Sequence, residues 1–195
     1  ARISYALGFS RGDTFEQYGT NGPSLNGLQT QVGAELNMAD NWQPSETDRR
    51  HILTLSGRTE FFGITANAIL RYMTEIPFTL YDGTIDTNMN GSFWDPLPAG
   101  TYSGTGNNPI TVQHNGMQGG ARAADFFQLD LRLGYRLRPS GIQTMDIYFD
   151  IINLTDRVNF NRPGGNQDSG SFLNYTSLRS GGFPRQANFG LRYGF

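Results

Sequence analysis

The chain contains no cysteine and no lysine. Without thiols there are no disulfides and no thiolate metal sites. Without lysine there is no phosphate-loop lysine, no Schiff base and no Ser-x-x-Lys nucleophile; all 15 basic residues are arginine. Histidine is scarce. His51 and His114 stand far apart, and no His-Glu-x-x-His motif occurs. Charged residues make up only 16% and the net charge is −2, so the basic footprint of a nucleic-acid-binding domain is missing. No run of about 18 apolar residues is present, which excludes a transmembrane helix. Mean hydropathy is −0.45. That value does not separate a soluble protein from a membrane barrel, because every second residue of a barrel strand faces a polar lumen. There is no initiator Met and no signal peptide: the chain opens within a strand, "ARISYALGF", which predicts a piece of something longer.

What is present is glycine (25 residues), aromatics (13%) and two-residue alternation. Six segments alternate long enough to be strands: 2–10, 50–61, 63–74, 126–137, 143–153 and 187–195. The clearest is "FFQLDLRLGYRL", which puts Phe127, Leu129, Leu131, Leu133, Tyr135 and Leu137 on one face. Gln128, Asp130, Arg132, Gly134 and Arg136 take the other. Tight turns ("EFFG", "RPSGIQ") alternate with long connections at about 11–49, 75–124 and 154–186, rich in Gly, Asn, Asp, Ser and Pro. A weakly alternating stretch at 28–38 reads as a hairpin arm within the first of these.

Two all-β architectures compete. A soluble sandwich has strands of about 5–6 residues. The strands here run nearer the ~9–11 residues that cross a bilayer at a tilt. Aromatics gather where the faces end, at Phe61, Phe62, Tyr135, Tyr193 and Phe195, as in an interfacial girdle. Six arginines (Arg2, Arg58, Arg71, Arg132, Arg136, Arg192) lie on the polar faces, too many for a sandwich core. The reading is therefore an antiparallel transmembrane β-barrel of about six meandering strands, part of a larger barrel, with short periplasmic turns and long extracellular loops. Six strands are too few to close a membrane barrel, so the first and last strands are expected to pair with further strands or with another chain.

The last eight residues, "NFGLRYGF", place a polar residue, Gly and two aromatics at Asn188, Gly190, Tyr193 and Phe195. That spacing resembles the terminal signal read by the outer-membrane barrel-assembly machinery, where an unpaired strand edge is recognised by β-augmentation. "IINLTDRVNF" (151–160) resembles the Asn-Leu-x-(Asp/Asn)-x-x-x-aromatic stretch of TonB-dependent transporters. "DRRHILTLSG" (48–57) and "RYMTEIPFT" (71–79) are similar to strands of their Oar-like subgroup. The resemblance implies the C-terminal barrel part of a bacterial outer-membrane receptor that takes up or recognises an extracellular ligand. It implies the lipid bilayer as surroundings, and TonB as a partner acting through an upstream plug that has no counterpart here. A structural or adhesive surface protein on the same barrel is the alternative. The family's barrel performs no chemistry, so no enzyme is expected.

Three groups of residues carry specific expectations. In "DTNMNGSFWD", Asp86, Asn88, Asn90 and Asp95 have the spacing of a weak calcium loop, although position twelve is Leu97 rather than Glu; a plain Asn-Gly turn is the alternative. Asp48 beside His51 could suggest a rim hydrolase, but no serine motif accompanies it, and anchoring of a strand mouth is preferred. The polar-face charges Arg132, Arg136, Asp146 and Asp150 read as a lumen ladder, structural or substrate-conducting. In the hairpin 125–153, pair sums of 280 and 282 both keep the faces aligned. The sum of 280 sets Asp130 against Asp150, whereas 282 sets Arg132 against Asp150 and Arg136 against Asp146 with Gly141 at the turn, so 282 is expected.

Overall fold

The computed structural model describes residues 1–12, 43–44, 48–87, 89, 93, 95–140 and 143–194. Among these there is no helix, and twelve strands are formed. They are β1 (Arg2–Leu7), β2 (Arg11–Gly12), β3 (Gln43–Pro44), β4 (His51–Phe61), β5 (Ile64–Met73) and β6 (Pro77–Phe78). They continue as β7 (Gly100–Ser103), β8 (Thr111–His114), β9 (Ala121–Arg122), β10 (Phe126–Ser140), β11 (Gln143–Ile152) and β12 (Gln186–Gly194). The six alternating segments form one antiparallel meander in the order β1-β4-β5-β10-β11-β12. Among the described residues the sheet is open: β1 and β12 are edges and do not pair with each other. The expected hairpin arm at 28–38 lies outside the described residues, as do Gly141 and Phe195.

Registers carry the apolar residues across the sheet in rows. Gly57, Ala68, Leu131, Ile151 and Ala187 form one row; Thr59, Ala66, Leu133, Phe149 and Phe189 form the next. Phe61, Ile64, Tyr135, Ile147 and Leu191 follow. Because side chains alternate with period two, the opposite face collects Arg58, Asn67, Arg71, Asp130, Arg132, Asp150 and Asn188. Among the described residues nothing packs against the apolar face: Ile3 is 74% and Phe189 70% exposed.

Two turns differ in character. Phe62 and Gly63 join β4 to β5 with φ of 49° and 77°, the double positive φ of a two-residue hairpin turn whose twist suits antiparallel strands. β10 runs three residues past the expected end at Leu137, with a register shift between Leu137 and Ser140 before the turn.

The core lies in the connections, not in the sheet. Phe78, Leu80, Leu97, Val112, Ala121, Ala123, Phe172 and Leu173 form one buried cluster. Fully burying side chains such as Leu80 and Leu173 stabilises by roughly 1.5–3 kcal/mol each. Backbone hydrogen bonds stitch the two loops together: Tyr81 N donates to Gly165 O and Ile110 N to Leu173 O, both at 2.9 Å. A hairpin of β7 and β8 and a short pair of β6 and β9 complete this cap. It sits at the end of the sheet opposite the tight turns.

Candidate functional site

The polar face and the loop cap meet where β5 ends and β10 begins. Asp130 is the hub. Its Oδ2 accepts from Arg71 Nη2 at 3.1 Å, and its Oδ1 accepts from Gln128 Nε2 at 2.8 Å and from Asn153 N at 2.9 Å. Gln128 is fully buried, which on a solvated face requires a cover. The cover is the segment after β11. Asn153 turns the chain with φ of 55°, and its amide donates to Arg157 O and Phe183 O, each at 2.9 Å. Asn159 reaches back to β10: it accepts from Phe127 N and donates to Phe127 O, both at 3.0 Å, imitating a strand partner. Thus "NLTDRVN" folds over the sheet end through two buried amides that replace missing ladder bonds.

Below the hub runs the ladder. Arg132 Nε and Nη2 donate to Asp150 Oδ1 and Oδ2 at 2.5 and 2.6 Å. Arg136 Nε and Nη2 donate to Asp146 Oδ1 and Oδ2 at 2.5 and 3.0 Å. Both pairs are two-pronged, the geometry that suits a planar guanidinium to a carboxylate. The observed register is Arg132↔Asp150 and Arg136↔Asp146, the one the charges select, and Asp130 does not oppose Asp150. A depression of about 660 Å³ opens over this ladder, with Arg58, Glu60 and Thr65 on its far wall.

A second cleft, of about 400 Å³, lies within the cap between the loops. Tyr81, Asn161, Asn166, Ser169, Ser171 and Ser177 line it with amides and hydroxyls. Burial pushes the Tyr81 phenol up to about 12, so it is a hydrogen-bonding group and not a base at neutral pH.

The other residues singled out in the sequence fall as follows. Asp95 Oδ2 accepts from Thr87 N at 2.5 Å. Asn88 and Asn90 lie outside the described residues. Among the described residues no three His, Asp or Glu side chains are grouped to hold a metal. Asp48 and His51 have separate partners. Buried Asp48 sits between Arg50 Nε at 3.5 Å and Arg122 Nη2 at 3.6 Å and accepts from Ser10 N. The His51 ring bonds Tyr5 Oη at 2.7 Å. Asn188, Gly190 and Tyr193 stand on β12, opposite Asp150, Tyr148 and Met145. Sequence reasoning missed Gln128, Asn153 and Asn159 as the fastening of the cap; the paired asparagines in "NLTDRVN" were the available signal.

Compared with protein-family models, with curated proteins and with solved structures, the chain matches none.

Proposed function

We propose that this chain is part of the barrel of a TonB-dependent receptor in a bacterial outer membrane, with the loop cap facing outward to take up or recognise an extracellular ligand. The observation that carries this reading is the apolar face, uncovered among the described residues and built in rows across β4, β5, β10, β11 and β12, strands of 9 to 15 residues, with arginines and carboxylates confined to the other face. In lipid that face needs no further cover. Unpaired β1 and β12 edges would each leave backbone groups unsatisfied in hydrocarbon at several kcal/mol apiece, so both pair with the remaining strands or with another chain. The barrel-assembly machinery reads β12 through Asn188, Gly190, Tyr193 and Phe195, and TonB acts through an upstream plug. Asp86, Asn88, Asn90 and Asp95 serve as a weak calcium loop at the outer surface.

Intact Gram-negative cells producing the protein provide the test. The protein is expected in the outer-membrane fraction. Protease added outside should cut within 75–124 or 154–186 and spare the Phe61–Gly63 turn. Recovery in a soluble fraction, or cleavage at that turn, contradicts the reading. Ligand accumulation that stops when TonB is deleted supports uptake, whereas TonB-independent adhesion supports the structural alternative. Calcium at about 10⁻⁴–10⁻³ M should slow proteolysis at 86–95, and unchanged cleavage removes the metal.

A further inference from the structure

Among the described residues, positive charge at the junction of cap and sheet exceeds the carboxylates in ion-pair reach. The guanidiniums of Arg71 and Arg179 lie over the Phe126 ring, at 5.9 and 4.9 Å from its centroid. Arg179 Nη2 donates to Met73 Sδ at 3.3 Å and Arg49 Nη1 donates to the carbonyl of the next residue, Thr74, at 2.6 Å. Three cationic side chains thus converge on the end of β5. Among the described residues the carboxylate in ion-pair reach of the three is Asp130, which serves Arg71 and already accepts from Gln128 and Asn153. Arg49 and Arg179 have no carboxylate within 4 Å among the described residues. A half-buried guanidinium loses hydration that only an anion or a good acceptor restores. Arg179 Nη1 is shielded from water and makes no hydrogen bond.

We infer that Arg49, Arg71 and Arg179 form a binding site for a small soluble oxyanion bearing carboxylate or phosphate oxygens. The planar fork of arginine matches such groups with two parallel N–H donors, and neighbouring arginines can share one anion. The electrostatics agree: burial, and then the charge of Arg179, lowers Arg49 to about 10, and burial lowers Arg179 as well. Each charge is held at a cost that a bound anion would remove. The site lies on the polar side of the sheet, away from the apolar face, so the anion comes from solution. As a binding site it stands without the membrane reading; only its role as the ligand taken up rests on that proposal.

The test uses the full chain in zwitterionic detergent micelles, with inorganic phosphate titrated at constant ionic strength. Calorimetry and thermal unfolding are both read. Saturable binding with a rising Tm is expected. Arg179→Gln and Arg49→Gln should each weaken phosphate binding at least about tenfold, the loss of one charge-assisted hydrogen bond. Arg185→Gln should leave it unchanged, since Arg185 pairs with Asp156 at 3.0 Å elsewhere. Without phosphate, Arg179→Gln should not lower Tm, because repulsion is relieved. If that variant does not fold, Arg179→Lys keeps the charge without the fork and should still weaken phosphate binding. Absence of saturable binding overturns the site, as does equal weakening by Arg185→Gln. So does a Tm loss in Arg179→Gln that is the same with and without phosphate, which would make the cluster structural. Phosphate binding lost when anionic lipid is added would give the site to a headgroup and overturn the solute assignment.

Discussion

At Gly190 the ring of Tyr148 occupies the place of a side chain. A Cβ there would lie 2.0 Å from Cζ of Tyr148, whose ring crosses the glycine from the neighbouring strand and carries the Arg132 guanidinium at 5.3 Å. The glycine of the terminal pattern therefore has a packing reason independent of any recognition. Gly190→Ala should destabilise the sheet by about 1–3 kcal/mol, the usual cost of overpacking, in denaturant unfolding of the full chain in micelles. Gly57→Ala is the control, since nothing lies within 4 Å of its Cβ position and a strand gains roughly 0.5–1 kcal/mol from Ala over Gly. Equal effects at both positions would refute the packing argument. Phe62 makes the opposite point. A non-glycine residue at positive φ is strained, yet Phe62 is 84% exposed and stacks edge-on against Phe61 at 4.2 Å. On the proposed function, Phe62 is an anchor at the membrane interface. His114 in the cap is buried, and Gly116 N donates to its Nδ1 at 3.2 Å. Burial lowers its pKa below the ordinary 6.5. As pH falls through 6.5 the unfolded chain takes the proton first, so the stability present above that value is lost progressively down to the folded pKa. Proteolysis near 98–120 should accelerate on going from pH 7.5 to 5, and His114→Gln should flatten that dependence. Slower cleavage in acid would contradict it.

At the scale of elements, charge decides between registers that hydrophobicity leaves equivalent. A two-residue slip of β10 against β11 keeps every apolar side chain on its face but exchanges two bidentate pairs for an Asp–Asp contact. The Arg132–Asp150 pair is partly exposed, so screening holds its contribution to roughly 0.2–1 kcal/mol, smaller at high salt. A double-mutant cycle with Arg132→Gln and Asp150→Asn should return a favourable coupling in that range that shrinks with added salt. Zero coupling at low salt would remove the ladder as a register device. This is also where the sequence was most legible. β4, β5, β11 and β12 fall within two residues of the alternating segments at each end, because a sheet solvated differently on its two faces writes its period into the chain. β1 stops at Leu7, short of the alternation that continues to Ser10, and pairs only as far as His51. The cap was not legible. Leu80 and Leu173 meet across more than ninety residues, in segments with no period at all. Its fastening depends on side-chain amides mimicking a strand, which no pattern of polarity announces.

On the scale of the whole molecule, the described residues place a buried core at one end, in the cap, and an apolar sheet face that no other described residue covers. Monomeric soluble proteins rarely expose contiguous apolar patches beyond a few hundred Å². The charged residues follow the same division: the arginines of the sheet lie on the polar face, and the anion site inferred at Arg49, Arg71 and Arg179 lies where that face meets the cap. The central claim of the proposed function is that the apolar face meets lipid while the opposite face meets water. With no cysteine in the chain, single cysteines can be placed one at a time along 145–151 of β11 and carry a nitroxide label in the protein reconstituted in bilayers. Accessibility to oxygen, which concentrates in lipid, should peak at 145, 147, 149 and 151, and accessibility to a water-soluble nickel chelate at 146, 148 and 150. Absence of a two-residue alternation, or chelate access to both sets of positions, would contradict it.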